Sequence, residues 1–138
     1  MALHPYLFFN GNCRDAFTQY QAIFGGDLTL IRSADMPADE QMPATDSEAI
    51  MHAALTFGDN LLMASDDPTS TGSRTVQGIM VNYSVADPDE AKRAFGALAE
   101  GGEVRLPIAA TSWSPMFGMC VDRFGTPWMV SVDSPAEG

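Results

Sequence analysis

The sequence predicts an α+β fold made of two βαβββ modules, because two stretches and a change of period repeat between its halves. The stretch from Phe57 to Pro68 aligns without a gap on the stretch from Phe124 to Pro135, at an offset of 67 residues. Upstream, two helix-like stripes that each end in a glycine pair repeat at an offset of 75 to 76. Within each half the apolar period changes from strand to helix and back to strand.

The first module begins with a strand over Tyr6 to Asn10, and Asn12 is the predicted N-cap of the helix that follows. The glycine pair Gly25-Gly26 ends this helix. Three further strands are expected, separated by turns that contain glycine. The helical stripe consists of Ala16, Phe17, Tyr20, Ile23 and Phe24, and the three strands of Leu28 to Arg32, Ala49 to Phe57 and Leu61 to Ser65.

The second module repeats this order, with a helix that starts at Asp87-Pro88 and stops before Gly101-Gly102. Its helical stripe consists of Ala91, Phe95, Leu98 and Ala99, and its strands of Ile79 to Val85, Glu103 to Leu106, Phe117 to Asp122 and Trp128 to Val132. The predicted domain is therefore a single one over residues 1–138, with modules at about 1–68 and 74–135.

The first module carries roughly nine extra residues, since 76 minus 67 is nine, and only the stretch from Ser33 to Ser47 has room for them. Its acidic part, Asp35 to Glu48, lacks the regular carboxylate spacing and the glycine of a calcium loop. We expect a solvated flap or an arm that embraces a second subunit, in which Met36 and Met42 could adapt to a ligand or a partner surface.

Composition and charge exclude several classes of function. The chain has 138 residues, 46% of them apolar, and a formal net charge of −11, which repels nucleic acids and anionic membranes. It has no apolar run of spanning length and no signal-peptide pattern, so we expect a cytoplasmic protein. Cys13 and Cys120 form no CxxC pair, and we expect buried thiols.

Four motifs resemble one branch of a known superfamily. They are Pro5 to Cys13, Met51-His52-Ala53, Met63 to Asp66, and Asp122 to Trp128. Together with the paired modules, they are similar to the PhnB-like branch of the vicinal oxygen chelate superfamily, which includes glyoxalase I, extradiol dioxygenases and bleomycin-resistance proteins. The resemblance implies an eight-stranded, open, cup-shaped barrel. It also implies a homodimer, often with modules exchanged between subunits.

In the metal-using members, the first and last strands of each module supply four ligands to the cup. The corresponding positions here are His4, Leu62, Ile79 or its neighbour Met80, and Met129. Only His4 retains a ligand, and one imidazole cannot hold a catalytic divalent ion. We therefore expect no metal and no cofactor, and a divalent metal at a relocated site is the less favoured alternative.

If the strands alternate, the cup lining is largely apolar, which suits an organic ligand. The expected lining is His4, Tyr6 and Phe8 from the first strand, Leu62, Ala64 and Asp66 from the fourth, and Met129, Ser131 and Asp133 from the eighth. Trp113, in the loop from Ala109 to Met116, could cover the ligand or pack in a dimer. The ligand contacts we select are Tyr6, Phe8, Leu62, Trp113, Met129 and Ser131.

His52 and His4 are the candidate catalytic residues. His52 could act as a general base or orient a ligand, and its structural alternative is a buried histidine bonded to a backbone carbonyl. His4 could serve the site or be solvated. Asp66 and Asp133 recur before a proline in both modules, which favours a structural role.

Two functions follow from these observations. The first is a protein that binds a small, mostly apolar organic molecule without the superfamily's complete metal site. The second is a glyoxalase-type or dioxygenase-type enzyme that uses a histidine base, or a non-standard metal site built from His4, His52 and a carboxylate such as Asp66 or Asp122. No nucleophile elbow and no phosphate-binding loop supports a third chemistry.

Overall fold

The computed structural model describes residues 3–35, 49–66 and 78–133. It divides into two compact units, Met1–Arg74 and Thr75–Gly138, which we call the first and second modules. The first contains β1 (Tyr6–Phe9), α1 (Cys13–Phe24), β2 (Asp27–Arg32), β3 (Ile50–Phe57) and β4 (Asn60–Asp66). The second contains β5 (Val81–Val85), α2 (Pro88–Ala99), β6 (Glu103–Ala109), β7 (Phe117–Val121) and β8 (Pro127–Val132). The predicted order βαβββ is confirmed for both modules.

Each module folds its four strands into one mixed sheet. The strand order is β1-β4-β3-β2 in the first and β5-β8-β7-β6 in the second, so the two sheets have the same topology. The first and last strands of each module pair in parallel, and the remaining neighbours pair antiparallel. The α+β class predicted from the sequence is therefore confirmed.

One helix covers one face of each sheet, and the core lies between them. In the first module, Phe9 meets Phe17 of α1 edge-on, with ring centroids 6.1 Å apart. Phe17, Tyr20 and Leu55 are fully buried there. In the second module, Phe95 of α2 lies so close to Gly118 of β7 that a Cβ on this glycine would overlap its ring. The apolar stripes read from the sequence are thus the core faces of the helices.

The two helices begin differently. Asp87 caps α2 as predicted, because its side chain accepts a hydrogen bond from the Asp89 amide at 3.0 Å and Pro88 occupies the first turn. Asn12 occupies the N-cap position of α1, but its side chain makes no capping hydrogen bond. The carboxylate of Asp66, at the end of β4, accepts from the Cys13 amide at 3.0 Å instead. The predicted N-cap position of Asn12 is therefore confirmed, although Asp66 and not Asn12 supplies the side-chain hydrogen bond to this end of the helix.

The second glycine of each pair lets the chain leave the helix close to the neighbouring strand. Gly26 has φ 88°, and a Cβ there would collide with the Thr56 carbonyl of β3. A Cβ on Gly102 would collide with the Val121 carbonyl of β7. The glycine pairs therefore serve close backbone approach as well as helix termination.

The start of the polar insert is a short 3-10 helix, Ser33–Asp35, that follows β2. Arg32 pairs with Asp35 at 2.8 Å, and its hydrogen bonds lower the pKa of that carboxyl to about 2. Residues 36–48, which include Met36 and Met42, lie outside the described residues. Within the ranges that are described, no helix is long and apolar enough to cross a bilayer.

Candidate functional site

The face of the first sheet opposite α1 carries aromatic and polar side chains. We call it the first distal face, and it is defined by strand register. Tyr6 and Phe8 of β1 pair with Met63 and Ser65 of β4. Tyr6 is 39% exposed and Phe8 50% exposed, whereas Leu7 and Phe9 between them are buried against the helix side. The prediction that Tyr6 and Phe8 share one face is confirmed.

His52 of β3 also lies on the first distal face. The Tyr6 hydroxyl is 3.3 Å from His52 Nδ1, and their ring centroids are 5.9 Å apart. His52 is half-buried, so the structure replaces the expected backbone carbonyl partner by a phenol. One ring nitrogen is engaged by Tyr6, which leaves Nε2 to meet a ligand.

Leu62 belongs to the opposite face, which corrects its selection as a ligand contact. It pairs with Leu55, which is fully buried, and is itself 5% exposed. Ala64 and Asp66 follow it on the helix side, so they do not line the distal face either. The gapless repeat equates Leu62 with Met129, but the strand registers equate Met63 with Met129, at an offset of 66. A one-residue slip exchanges the two faces of a strand.

The second distal face lies opposite α2 and contains Met129 and Ser131, as predicted. Met129 pairs with Asn82 of β5, and Ser131 pairs with Ser84. Val130 between them pairs with Gly118, the residue that lies against Phe95 of α2, so it belongs to the helix side. Asp133 follows β8 and is exposed.

Trp113 stands beside the second distal face on a loop held by hydrogen bonds. Its ring is 65% exposed and meets Phe117 at 75°, with centroids 5.5 Å apart. Thr111 Oγ1 accepts from the amides of Trp113 and Ser114 at 3.3 and 3.1 Å. The carbonyl oxygens of Met116 and Val132 both lie 2.7 Å from Ser114 Oγ and share its single hydroxyl proton. The loop therefore fixes an exposed indole next to the sheet.

The two carboxylates named for a relocated metal site are buried and accept hydrogen bonds from N–H groups of the fold. Asp66 is 6% exposed and accepts from the amides of Cys13 and Ile50 at 3.0 and 2.9 Å. Asp122 is 5% exposed and accepts from two turn amides and from Trp128 Nε1 at 2.9 Å. Their lone pairs are directed to N–H donors, which contradicts the non-standard site built on them.

The superfamily's metal positions do not fit a divalent cation either. His4 lies just before β1 and is half-buried. With the corrected register, the other positions carry the thioethers of Met63, Met80 and Met129, which are poor ligands for hard divalent ions. In the described part of the chain, no group of three or more His, Cys, Asp or Glu side chains could hold a metal ion.

Both cysteines are buried free thiols, as predicted. Burial and the nearby Asp66 raise the pKa of Cys13 to about 12. Burial and the nearby Asp122 raise the pKa of Cys120 to about 11. A nucleophilic cysteine has a low pKa and an exposed sulfur, so neither thiol has the properties of a catalytic one.

Sequence reasoning missed Asn82, Ser84, Met63 and Ser65 on the distal faces. The upstream repeat spans offsets of 75 and 76, and the larger one carries Tyr6 onto Asn82 and Phe8 onto Ser84. The smaller offset places Val81 and Tyr83 there, and both of these lie on the helix side. Only strand register distinguishes the two.

Comparison with known proteins identifies the family. Residues 1–131 match a family model described as 3-demethylubiquinone-9 3-methyltransferase. The chain belongs to this family. It is 34% identical over 141 residues to protein YjdN of Escherichia coli (strain K12), which covers 96% of this chain and 95% of YjdN. The predicted resemblance is therefore confirmed.

Solved structures agree with this family. Protein PA1353 from Pseudomonas aeruginosa is 42% identical with a TM-score of 0.88, covering 96% of this chain and 98% of PA1353. A PhnB protein from Bacillus cereus is 20% identical with a TM-score of 0.78, covering 96% and 99%. A glyoxalase/bleomycin resistance protein/dioxygenase from Nocardioides shares the fold at 16% identity and a TM-score of 0.58, covering 98% and 84%.

Proposed function

We propose that this PhnB-like protein binds a small, mostly apolar organic molecule on the distal faces of its sheets. The observation that carries the proposal is the exposure of aromatic rings on or beside strands whose other face is core. Tyr6, Phe8 and Trp113 are 39%, 50% and 65% exposed. Exposing such rings in an ordered position forgoes burial energy, and clusters of this kind are common at binding sites.

Binding without the superfamily's complete metal site is part of this proposal. The donor set at the four ligand positions supports it, because one imidazole and three thioethers do not make a hard divalent site. Elemental mass spectrometry of untagged protein, purified without chelator, tests this part directly. Stoichiometric zinc, nickel or manganese, or micromolar affinity by calorimetry, would overturn it.

Ligand binding itself is testable with a library of small aromatic and aliphatic compounds, screened by saturation-transfer NMR. Compounds that bind the first distal face are expected to weaken in Tyr6→Ala, and compounds that bind the second in Trp113→Ala, each by about tenfold, the loss of 1–2 kcal/mol of ring contact. Val104→Ala is the matched control, since Val104 is 47% exposed but pairs with Cys120 on the helix side of its sheet. Equal losses in all three variants would contradict the assigned faces.

The contact between Tyr6 and His52 favours a second candidate, a metal-free enzyme with a histidine base. If Nδ1 donates its proton to the Tyr6 oxygen, Nε2 carries the free lone pair that proton abstraction needs. An enzyme of this kind would show a pH-dependent turnover that is lost in His52→Ala and altered in Tyr6→Phe. A binding protein would show no turnover in any of the three forms.

The topology of the two sheets differs from that of a doubly wound methyltransferase, the activity that the description of the family model names. A doubly wound fold for S-adenosylmethionine has a parallel sheet with helices on both faces. Each sheet here has one parallel pair and one helix on one face. A glycine-rich loop between a strand and a helix is also missing from the sequence.

We further propose a cytoplasmic homodimer, as the family resemblance implies. The reduced, buried thiols are compatible with a cytosolic location. Light scattering after size exclusion tests the assembly, and a monomer at micromolar concentration would contradict it. Cell fractionation of the native protein tests the location.

A further inference from the structure

Three polar side chains on the second distal face form a closed hydrogen-bonded ring. Ser84 Oγ and Ser131 Oγ are 2.8 Å apart, and Ser131 Oγ donates to Asn82 Oδ1 at 3.2 Å. Asn82 Nδ2 donates to Ser84 Oγ at 3.3 Å, which closes the ring. None of the three is needed by the core, since Asn82 and Ser84 are exposed and Ser131 is half-buried. We call this set the polar ring.

Both hydroxyl protons of the polar ring are donated in hydrogen bonds within the ring. The Ser131 proton goes to Asn82, so the Ser84 proton bridges to Ser131. What remains is one lone pair on each of the three oxygens and a single amide N–H of Asn82. Reversing the direction of the ring by rotating the amide leaves the same inventory. The surface therefore offers three acceptors and one donor, which suits a ligand group rich in N–H.

An aromatic ledge adjoins the polar ring on the same face. Phe117 pairs with Ser131 across β7 and β8, and Ser131 pairs with Ser84 across β8 and β5. Neighbouring strands lie about 4.8 Å apart, so the ring begins roughly one strand spacing from Phe117. Trp113 stands edge-on to Phe117 with its indole exposed. A ligand about one aromatic ring long would contact both parts.

The negative net charge of the chain favours cations among the ligand groups that are rich in N–H donors. The chain carries 18 acidic and seven basic residues, and its net charge of −11 attracts cations and repels anions. An exposed indole also binds ammonium groups and the apolar carbons attached to them. An alkylammonium satisfies all three features, because it has up to three N–H donors, a positive charge and an apolar body.

We propose that the second distal face binds an organic amine. Its protonated nitrogen lies on the polar ring of Asn82, Ser84 and Ser131, and its apolar body contacts the exposed Trp113, which packs against the buried Phe117. This inference rests on the proposed ligand-binding function and names the chemical class of the ligand.

The test uses three probes that differ only in their polar end: 2-phenylethylammonium, 2-phenylethanol and 3-phenylpropanoate. Binding to the full-length protein is followed by Trp fluorescence and by the methyl signals of Met119 and Met129, which pair on this face. The amine is expected to bind about tenfold more tightly than the alcohol, the difference between a charge-assisted and a neutral hydrogen bond. The carboxylate should bind most weakly.

Variants separate the polar ring from the ledge. The double variant Ser84→Ala with Ser131→Ala should remove the preference for the amine, because the amine loses a charge-assisted hydrogen bond and the alcohol only a weaker, neutral one. Ser112→Ala is the control, because Ser112 is an exposed serine on the Trp113 loop outside the ring. Thermal melts of each variant confirm that the fold is retained.

The outcomes distinguish this inference from the proposed function. Equal binding of the amine and the carboxylate, or a preference that survives the double variant, would overturn the amine proposal and leave the ligand-binding function intact. If no probe shifts the Trp113 or methionine signals at millimolar concentration, while other compounds bind the first distal face, the amine proposal also fails. Failure of the whole compound library would remove the proposed function itself.

Discussion

At the scale of single residues, the buried carboxylate of Asp66 joins three elements of the first module. Asp66 accepts amides from Cys13 and Ile50, which start α1 and β3. The sequence favoured a structural role for Asp66 but predicted a turn cap. It could not show that the two partners come from 53 and 16 residues away.

Asp66→Asn should therefore destabilise the protein strongly. The amide keeps one acceptor but points an NH2 group at the second backbone N–H, so about 2–4 kcal/mol of unfolding free energy is lost. Urea denaturation measures this loss. Asp133→Asn, at the exposed aspartate that the repeat equates with it, should change stability by less than about 0.5 kcal/mol. Equal effects would contradict the buried role.

The raised pKa values of the two thiols predict a loss of stability at alkaline pH. In the folded chain the pKa of Cys13 is about 12 and that of Cys120 about 11, against the ordinary value of 9.0 for a cysteine thiol. A raised folded pKa means that the unfolded chain releases its proton first, so stability is complete below pH 9 and falls as pH rises toward these values. Tyr83, whose pKa rises from 10.0 to about 12 by burial and its hydrogen bond to Glu90, adds to the loss only above pH 10.

The expected loss between pH 8 and pH 10 is about 1 kcal/mol per thiol. Urea denaturation at the two pH values measures it. Cys13→Ala is destabilised at both, because a buried side chain is truncated, but its pH-dependent loss should be about half that of the parent chain. A parent whose stability is constant over this interval would show that the thiols ionise normally.

At the scale of elements, the sequence predicted strands and helices well and their faces less well. Period and turn chemistry located the eight strands and two α-helices of the described chain, but not the 3-10 helix Ser33–Asp35, because amphipathic stripes and glycine pairs are local signals. The face of β4 depends on its register with β1, which is a long-range property. That is why Tyr6 was placed correctly and Leu62 was not. Strand β6 also runs on to Ala109, beyond the predicted Leu106, at the exposed edge of its sheet.

Replacing two glycines of the second module by alanine should change the stability of the protein in opposite directions. Gly102 lies against the Val121 carbonyl, so Gly102→Ala forces the strand apart and should cost about 1–3 kcal/mol. Gly96 is an exposed residue inside α2 with open space around it, so Gly96→Ala should stabilise the helix by up to about 1 kcal/mol. Thermal melts of both variants check the pair, and a stabilising Gly102→Ala would contradict the close approach.

At the scale of the whole molecule, the candidate site was only partly readable from the sequence. The family resemblance and the apolar character of the lining follow from local motifs. The polar ring required two strands to be placed beside one another in the right register, since Asn82 and Ser131 are 49 residues apart. The contact between Tyr6 and His52 likewise spans 46 residues. Such juxtapositions carry no signal in a single sequence.

Net charge makes a prediction at the same scale. A charge of −11 on 138 residues repels itself more in the compact state than in the unfolded chain. Raising NaCl from 10 to 300 mM shortens the Debye length from about 30 Å to below 8 Å. The melting temperature should therefore rise by about 2–5 °C. A constant or falling melting temperature would mean that local ion pairs outweigh the overall repulsion.

The turns that connect the last two strands of each module differ in length, two residues between Phe57 and Asn60 against five between Val121 and Pro127. The shared Phe-Gly motif therefore sits at a strand end in one half and inside a turn in the other. Because the difference is an odd number of residues, aligned residues of β4 and β8 lie on opposite sides of their sheets: on the helix side in one module and on the distal face in the other. In a duplicated gene, one small insertion of this kind gives the two modules dissimilar surfaces, because it exchanges the core-facing and outward-facing residues of the strand that follows.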